Sequence, residues 1–100
     1  MKTVLTLTLA LTLCAATHAP AAWSKGDPAA GAKLYATNCV ACHGADRAGV
    51  PGAFPALTDV GKRLPPAQIK EKISKGGGLM PPFPQLSAQE IDDLASFLAK

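Results

Sequence analysis

Aromatic side chains are scarce in this chain, with one Trp, one Tyr and three Phe among 100 residues. So few rings exclude a roomy self-filled core, and a single domain of this size usually needs a staple of some kind. Charge of one sign is not in large excess either, at ten Lys and Arg against seven Asp and Glu, which argues against nucleic acid as a partner. Internal repeats and low-complexity tracts are absent beyond the N-terminal stretch. Soft ligands are few: three Cys, two His and two Met. Where they stand therefore carries most of the information.

The N-terminus reads as a leader. Met1-Lys2 gives a short positive start, Val4 to Ala16 an apolar stretch, and Ala19-Pro20-Ala21 an A-x-A cleavage site before Ala22. The expected organisation is a cleaved signal peptide over 1–21 and one domain over 22–100. A membrane anchor, which wants about twenty apolar residues, and an edge strand, from the Leu/Thr alternation between Leu5 and Leu13, are the competing readings. Cys14 ends the stretch as a lipidated cysteine would, but the preceding Leu13 is bulky where such sites want a small residue. Cleavage leaves Cys39, Cys42, His43 and Met80 as the soft ligands. It also removes Lys2, bringing the formal charge from +3 to +2.

Cys39-Val40-Ala41-Cys42-His43 specifies chemistry. In a helical run Cys39 and Cys42 at i and i+3 share a face, so each sulfur can add to one of the two vinyl groups on a haem edge, while His43 reaches the iron. Cys-x-x-Cys-His is the spacing of c-type haem attachment. Three other readings compete. A redox-active Cys-x-x-Cys would open the helix of a βαβ unit, whereas the surroundings of Cys39 show helical spacing and no β-branched runs. Structural zinc needs four good ligands, more than the domain offers without recruiting a carboxylate. A disulfide between Cys39 and Cys42 leaves His43 unexplained. Haem would also supply the apolar volume that the sequence lacks, and its two propionates would bring the net charge to about zero.

Asp27-Pro28 predicts a helix start, with Asp27 capping free N–H groups and Pro28 at the first helical position. Gly31, Leu34, Tyr35 and Asn38 then share a face, and the helix runs into the cysteine motif. Gly44 to Gly61 reads as a long loop that is functional or wraps something. Pro65-Pro66 opens a short second helix with Ile69 and Ile73 as its buried pair and Gly76 at its end. Gly76 to Pro84 cannot be regular structure. The final helix is the best signalled. Ser87 and Glu90 form a capping box, Leu86 and Ile91 the hydrophobic staple, and Ile91, Leu94, Ala95 and Leu98 the apolar stripe. Lys62 to Lys75 is basic and Glu90 to Asp93 acidic, both read as solvated helix faces.

An iron held by His43 has one position left. Met80 is the methionine that remains after processing. A lone Met is often core filler, but Met80 stands between a glycine run and Pro81-Pro82, outside any apolar stripe. Pro81 biases it toward extended backbone, so it is the candidate second axial ligand.

Through these residues the chain from Asp27 to Lys100 resembles the class I monohaem cytochromes c, in the short bacterial type that includes cytochromes c6, c551 and c553. The resemblance implies an all-α fold of about three main helices with long loops wrapped around one covalently bound haem. It pairs Gly31 and Tyr35 with Leu94 and Phe97 where the first and last helices cross. It assigns Cys39 and Cys42 to the thioethers, His43 and Met80 to the iron, and the Pro55 carbonyl in Pro55-Ala56-Leu57 to the Nδ1 proton of His43. Haem-wall candidates are Phe54, Leu57, Leu64, Leu79 and Phe83. The family's tryptophan near a propionate has no counterpart, since Trp23 precedes the first helix, and Arg63 and Lys62 are propionate candidates by charge alone.

The expected function is a soluble periplasmic carrier of single electrons, not an enzyme. It would act as a monomer between redox proteins such as a cytochrome reductase, a terminal oxidase or another periplasmic oxidoreductase, and would meet membranes only through those partners. The rival is the same fold with a labile Met80 loop, binding small ligands or working as a peroxidase, or an electron-entry part of a larger enzyme. The triple glycine at 76–78 supports lability, and the lack of a distal His or other acid–base group opposes peroxide chemistry.

Overall fold

The computed structural model describes residues 26–100. The expected leader over 1–21, Cys14 and Trp23 lie outside the described residues. Five helical segments follow one another: α1 Pro28–Asn38, α2 Val40–His43, α3 Val60–Arg63, α4 Pro66–Lys75 and α5 Ala88–Leu98. α1, α4 and α5 are the three main helices, and α2 and α3 are single turns. Among the described residues no strand forms, only two isolated bridges, Val50 with Phe54 and Gly77 with Met80.

Local chemistry sets the helix ends. The Asp27 carboxylate accepts from the Ala29 N–H at 2.9 Å, and Pro28 occupies the first turn of α1 where its missing N–H has no consequence. Both bonds of the Ser87–Glu90 capping box are made, at 3.1 and 3.0 Å. α1 does not run unbroken into the cysteine motif. Cys39 takes φ −121° and ψ −25° between α1 and α2, so the helix breaks at the first thiol and resumes for one turn. The long loop stops at Asp59, two residues earlier than its glycine pattern suggests, because Val60 is drawn into the core as α3 begins.

α1 and α5 cross through Gly31. A Cβ on Gly31 would collide with the Asp93 carbonyl and meet the Phe97 Cβ at 2.8 Å, so only hydrogen there allows the two backbones to touch. Leu94 is fully buried at the crossing, and the Tyr35 and Phe97 rings pack with centroids 5.3 Å apart. Ile69 and Ile73 bring α4 to the same cluster, which Val60, Ala95 and Leu98 complete. Burying a side chain such as Leu94 contributes roughly 1.5–3 kcal/mol, and there are few of them.

The acidic run Glu90–Asp93 is not wholly a solvated face. Asp93 is 7% exposed, and its Oδ1 accepts from the Asp27 N–H at 2.7 Å and from Gln89 at 2.9 Å. This carboxylate sits at the positive end of α1, where a negative charge is favoured, and it pins the start of α1 onto α5.

Candidate functional site

The broken helix at Cys39 sets the motif. The Cys39 N–H still donates to the Tyr35 carbonyl at 2.9 Å, closing α1, while the Cys39 carbonyl accepts from the His43 N–H at 3.0 Å, opening α2. Behind this turn the Tyr35 hydroxyl donates to the Gly44 carbonyl at 2.7 Å. Cys39, Cys42 and His43 all line one cavity of about 310 Å³. Burial, and to a smaller degree the neighbouring Cys42, push the Cys39 thiol up to about 11. A redox-active Cys-x-x-Cys needs a depressed thiol pKa, so this environment opposes that reading. Among the described residues no group of three or more His, Cys, Asp and Glu is arranged to hold a metal ion.

The loop after His43 folds back on it. The Gly49 N–H donates to the His43 carbonyl at 2.8 Å, and the Leu57 N–H donates to the Arg47 carbonyl at 2.7 Å. Gly49 has φ +68°, and a Cβ on it would strike the Phe54 carbonyl and Pro55. Arg47 adopts φ +62° as a non-glycine residue, with its guanidinium 5.2 Å from the Phe97 ring centroid. The outcome is a carbonyl aimed at the imidazole, with Pro55 O 3.0 Å from His43 Nδ1.

Met80 is held by a tight turn. The Gly77 N–H donates to the Met80 carbonyl at 2.9 Å and the Met80 N–H donates to the Gly77 carbonyl at 3.1 Å. Gly76, at φ +67°, lies so close to the Met80 carbonyl that a Cβ would collide with it. The Phe83 N–H then donates to the Ile73 carbonyl at 3.2 Å, tying the far side of the loop to α4.

A second cavity of about 600 Å³ adjoins the first, and His43, Pro55, Lys72 and Met80 line both. All five haem-wall candidates stand on this crevice: Phe54, Leu79 and Phe83 on the first lobe, Leu57 and Leu64 on the second. An apolar slot with two thiols on its wall, and an imidazole and a thioether lining both halves, fits a flat macrocycle attached through sulfur. Arg63 reaches the second lobe, but its Nε donates to Asp59 at 2.9 Å and its Nη2 to the Ala56 carbonyl at 3.0 Å. Lys62 lines neither lobe. Sequence reasoning missed Asn38 and Lys72 as crevice residues. Asn38 precedes the motif directly, and Lys72 stands one turn after Gln68, another crevice residue, on α4. Solvated helix lysines give the same pattern, so no periodicity singles out Lys72.

The sequence model of the family described as "Cytochrome C oxidase, cbb3-type, subunit III" matches residues 26–98. Cytochrome c-555 of Methylococcus capsulatus is 39% identical over 98 residues, covering 93% of this chain and 79% of that protein. Cytochrome c-550 of Bacillus subtilis is 43% identical over 68 residues, covering 68% of this chain. The match spans only 54% of that relative's length. The solved structure of cytochrome c6 from the diatom Phaeodactylum tricornutum superposes with a TM-score of 0.63 at 29% identity, covering 74% of this chain and 92% of that one. Fold and crevice together define a c-type haem protein. The chain belongs to the cytochrome c family, among its small class I members, and its cofactor is a covalently held c-type haem.

Proposed function

We propose that this protein carries single electrons between redox proteins, with Cys39 and Cys42 anchoring the haem and His43 and Met80 as its axial ligands. The observation that carries the reading is the two-way Gly77–Met80 turn, which holds a thioether on the same crevice as His43. The haem, when bound, supplies a one-electron iron couple. The Pro55 carbonyl can only accept, so it selects the Nδ1–H tautomer of His43, leaves Nε2 free to donate to a metal, and raises its basicity. The Met80 thioether, holding the iron, would favour its reduced state. The tied loops limit rearrangement between oxidation states.

The glycines support the carrier over a labile ligand site. Gly76 is required by its positive φ and its closeness to the Met80 carbonyl, so its presence serves closure. The cleft residues include no second histidine that could work a peroxide bond. One observation favours a second reading. The matching family's description names an oxidase subunit, and the same domain could feed electrons into such an assembly.

Residues 1–21 are, on this proposal, a leader removed on export, and 22–100 the haem domain, since bacterial haem attachment takes place outside the cytoplasm. No described helix is long and apolar enough to cross a membrane. The proposal is a periplasmic monomer that meets a cytochrome reductase, a terminal oxidase or another periplasmic oxidoreductase through brief encounters. Intact mass under denaturing conditions is the first test, and is expected to give polypeptide 22–100 plus one haem. A far-red methionine-to-iron charge-transfer band at neutral pH, lost in Met80→Ala with the haem still attached, tests the ligand. A band absent from the parent, or unchanged in the variant, would remove Met80 from the iron.

A further inference from the structure

Arg47 takes φ +62° in the loop that follows His43, in the left-handed region that a side chain disfavours and glycine enters freely. A residue persists there when its surroundings over-determine it. Backbone bonds do part of this, since the Arg47 N–H donates to the Gly44 carbonyl at 3.1 Å and the Ala48 N–H to the Asp46 carboxylate at 3.0 Å. The side chain does the rest. Its guanidinium carbon lies 5.2 Å from the centroid of the Phe97 ring on α5, within reach of a cation–π attraction, and its Nη1 is buried with no hydrogen-bond partner among the described residues. Its charge also reaches the Tyr35 phenol, whose upward shift it opposes. The guanidinium therefore rests against the aromatic pair at the α1–α5 crossing.

We propose that Arg47 is a positioning residue for the axial histidine: its guanidinium, seated on Phe97, holds the loop whose Pro55 carbonyl accepts the Nδ1 proton of His43. The inference rests on the reading of His43 as a ligand and adds to it what keeps that carbonyl in place. The link is a short run of backbone. In the left-handed conformation the Arg47 carbonyl accepts from the Leu57 N–H at 2.7 Å, and Leu57 stands two residues after Pro55, whose oxygen is 3.0 Å from Nδ1. A loop released at Arg47 loses its hold on Leu57, and with it the aim of Pro55. Because α5 is itself fastened to α1 at Gly31 and through Asp93, the Phe97 ring gives the loop an anchor outside itself. A turn that needed only a positive φ would be served by glycine, so an arginine at this position points to the side-chain contact.

Exchange of the His43 Nδ1 proton with heavy water, followed by NMR of the reduced holoprotein, reads the hydrogen bond, and the reduction potential reads its effect on the iron. Arg47→Gln and Arg47→Gly should each speed exchange about five- to tenfold, the effect of one cation–π contact on a local opening equilibrium, even though glycine suits the backbone better. Arg47→Lys keeps a cation for the ring and should bring exchange back to within about twofold of the parent. The potential should rise in the Gln and Gly variants, because an imidazole with a weaker hydrogen bond is less basic toward iron and supports the ferric state less. Loss of a positive charge acting only through space would lower it, so the sign separates the two roles. Phe97→Leu leaves the charge and removes the ring; it should speed exchange to a similar degree, and adding Arg47→Gln to it should change little further. Exchange unmoved in Arg47→Gly, additive effects in the double variant, or a potential that falls overturns the positioning role. A ferric parent without paramagnetically shifted imidazole signals from His43 would instead overturn the ligand reading, before any variant is compared.

Discussion

The Tyr35 hydroxyl donates to the Gly44 carbonyl at 2.7 Å, so the last turn of α1 is bonded to the residue that follows His43. One phenol thereby links the α1–α5 crossing, where its ring meets Phe97, to the backbone that carries the imidazole. Asp93 does the corresponding work at the other end of α1 through the Asp27 N–H. The helix pair is fastened at both ends, and the site hangs from one of them.

Tyr35 should make stability pH-dependent in the alkaline range. Burial, then the charge of Cys39, push its phenol above the usual value, with Arg47 pulling the other way. With Cys39 converted to a thioether, as proposed, burial and the charge of Asp46 remain as the upward causes. An acid whose folded pKa exceeds its unfolded one holds its proton longer when folded. Its stabilisation is therefore complete below about pH 10 and declines as pH rises toward the folded value. Tyr35→Phe should cost about 1 kcal/mol at neutral pH through the lost hydrogen bond and show a flatter alkaline limb. Denaturant titrations from pH 7 to 11 check it, and parallel limbs would contradict it.

Gly31→Ala should destabilise the holoprotein by about 1–3 kcal/mol, because the added methyl overlaps the Asp93 carbonyl and α1 must lift from α5. Helix propensity alone would make the same change favourable by about 1 kcal/mol. The sign of the shift in urea midpoint decides between crossing contact and local propensity.

Gly76→Ala and Gly78→Ala separate two roles of glycine. Both positions have positive φ, but a Cβ on Gly76 meets the Met80 carbonyl whereas one on Gly78 meets nothing within 4 Å. Gly78→Ala should cost only about 1 kcal/mol of backbone strain. Gly76→Ala should in addition displace Met80, so that the far-red band disappears at lower temperature than in the parent. Equal melting of the band in both variants would mean that the close approach of Gly76 is immaterial.

The double variant Cys39→Ala, Cys42→Ala, which cannot anchor haem, should be largely unfolded. The described core is a cluster of seven buried apolar residues, set against conformational entropy on the order of 1.5 kcal/mol per ordered residue, and helices of this length are marginal alone. Circular dichroism should show little helix and no sharp thermal transition, in contrast to the holoprotein. A cooperative melt of the haem-free variant would show that the polypeptide has a sufficient core of its own.

Much of this was legible in the chain itself, because the signals are local. Asp27-Pro28, Ser87 with Glu90, and the Ile69–Ile73 pair act within one or two helical turns, where capping and periodicity suffice. The Cys39–Cys42–His43 spacing is likewise a local fact, and it names the cofactor class without any fold. The tertiary structure decided whatever depends on residues distant in sequence. It buried Asp93, which the charge pattern read as solvated, because α1 presents its unpaired N-terminal N–H groups there. It separated Arg63, engaged by Asp59 and Ala56, from Lys62, which stays off the crevice. It broke the helix at Cys39 and brought Lys72 and Asn38 to the crevice. Sequence spacing fixes which atoms are available within a turn of helix, whereas only the packing of α1, α4 and α5 fixes which of them meet across the gap.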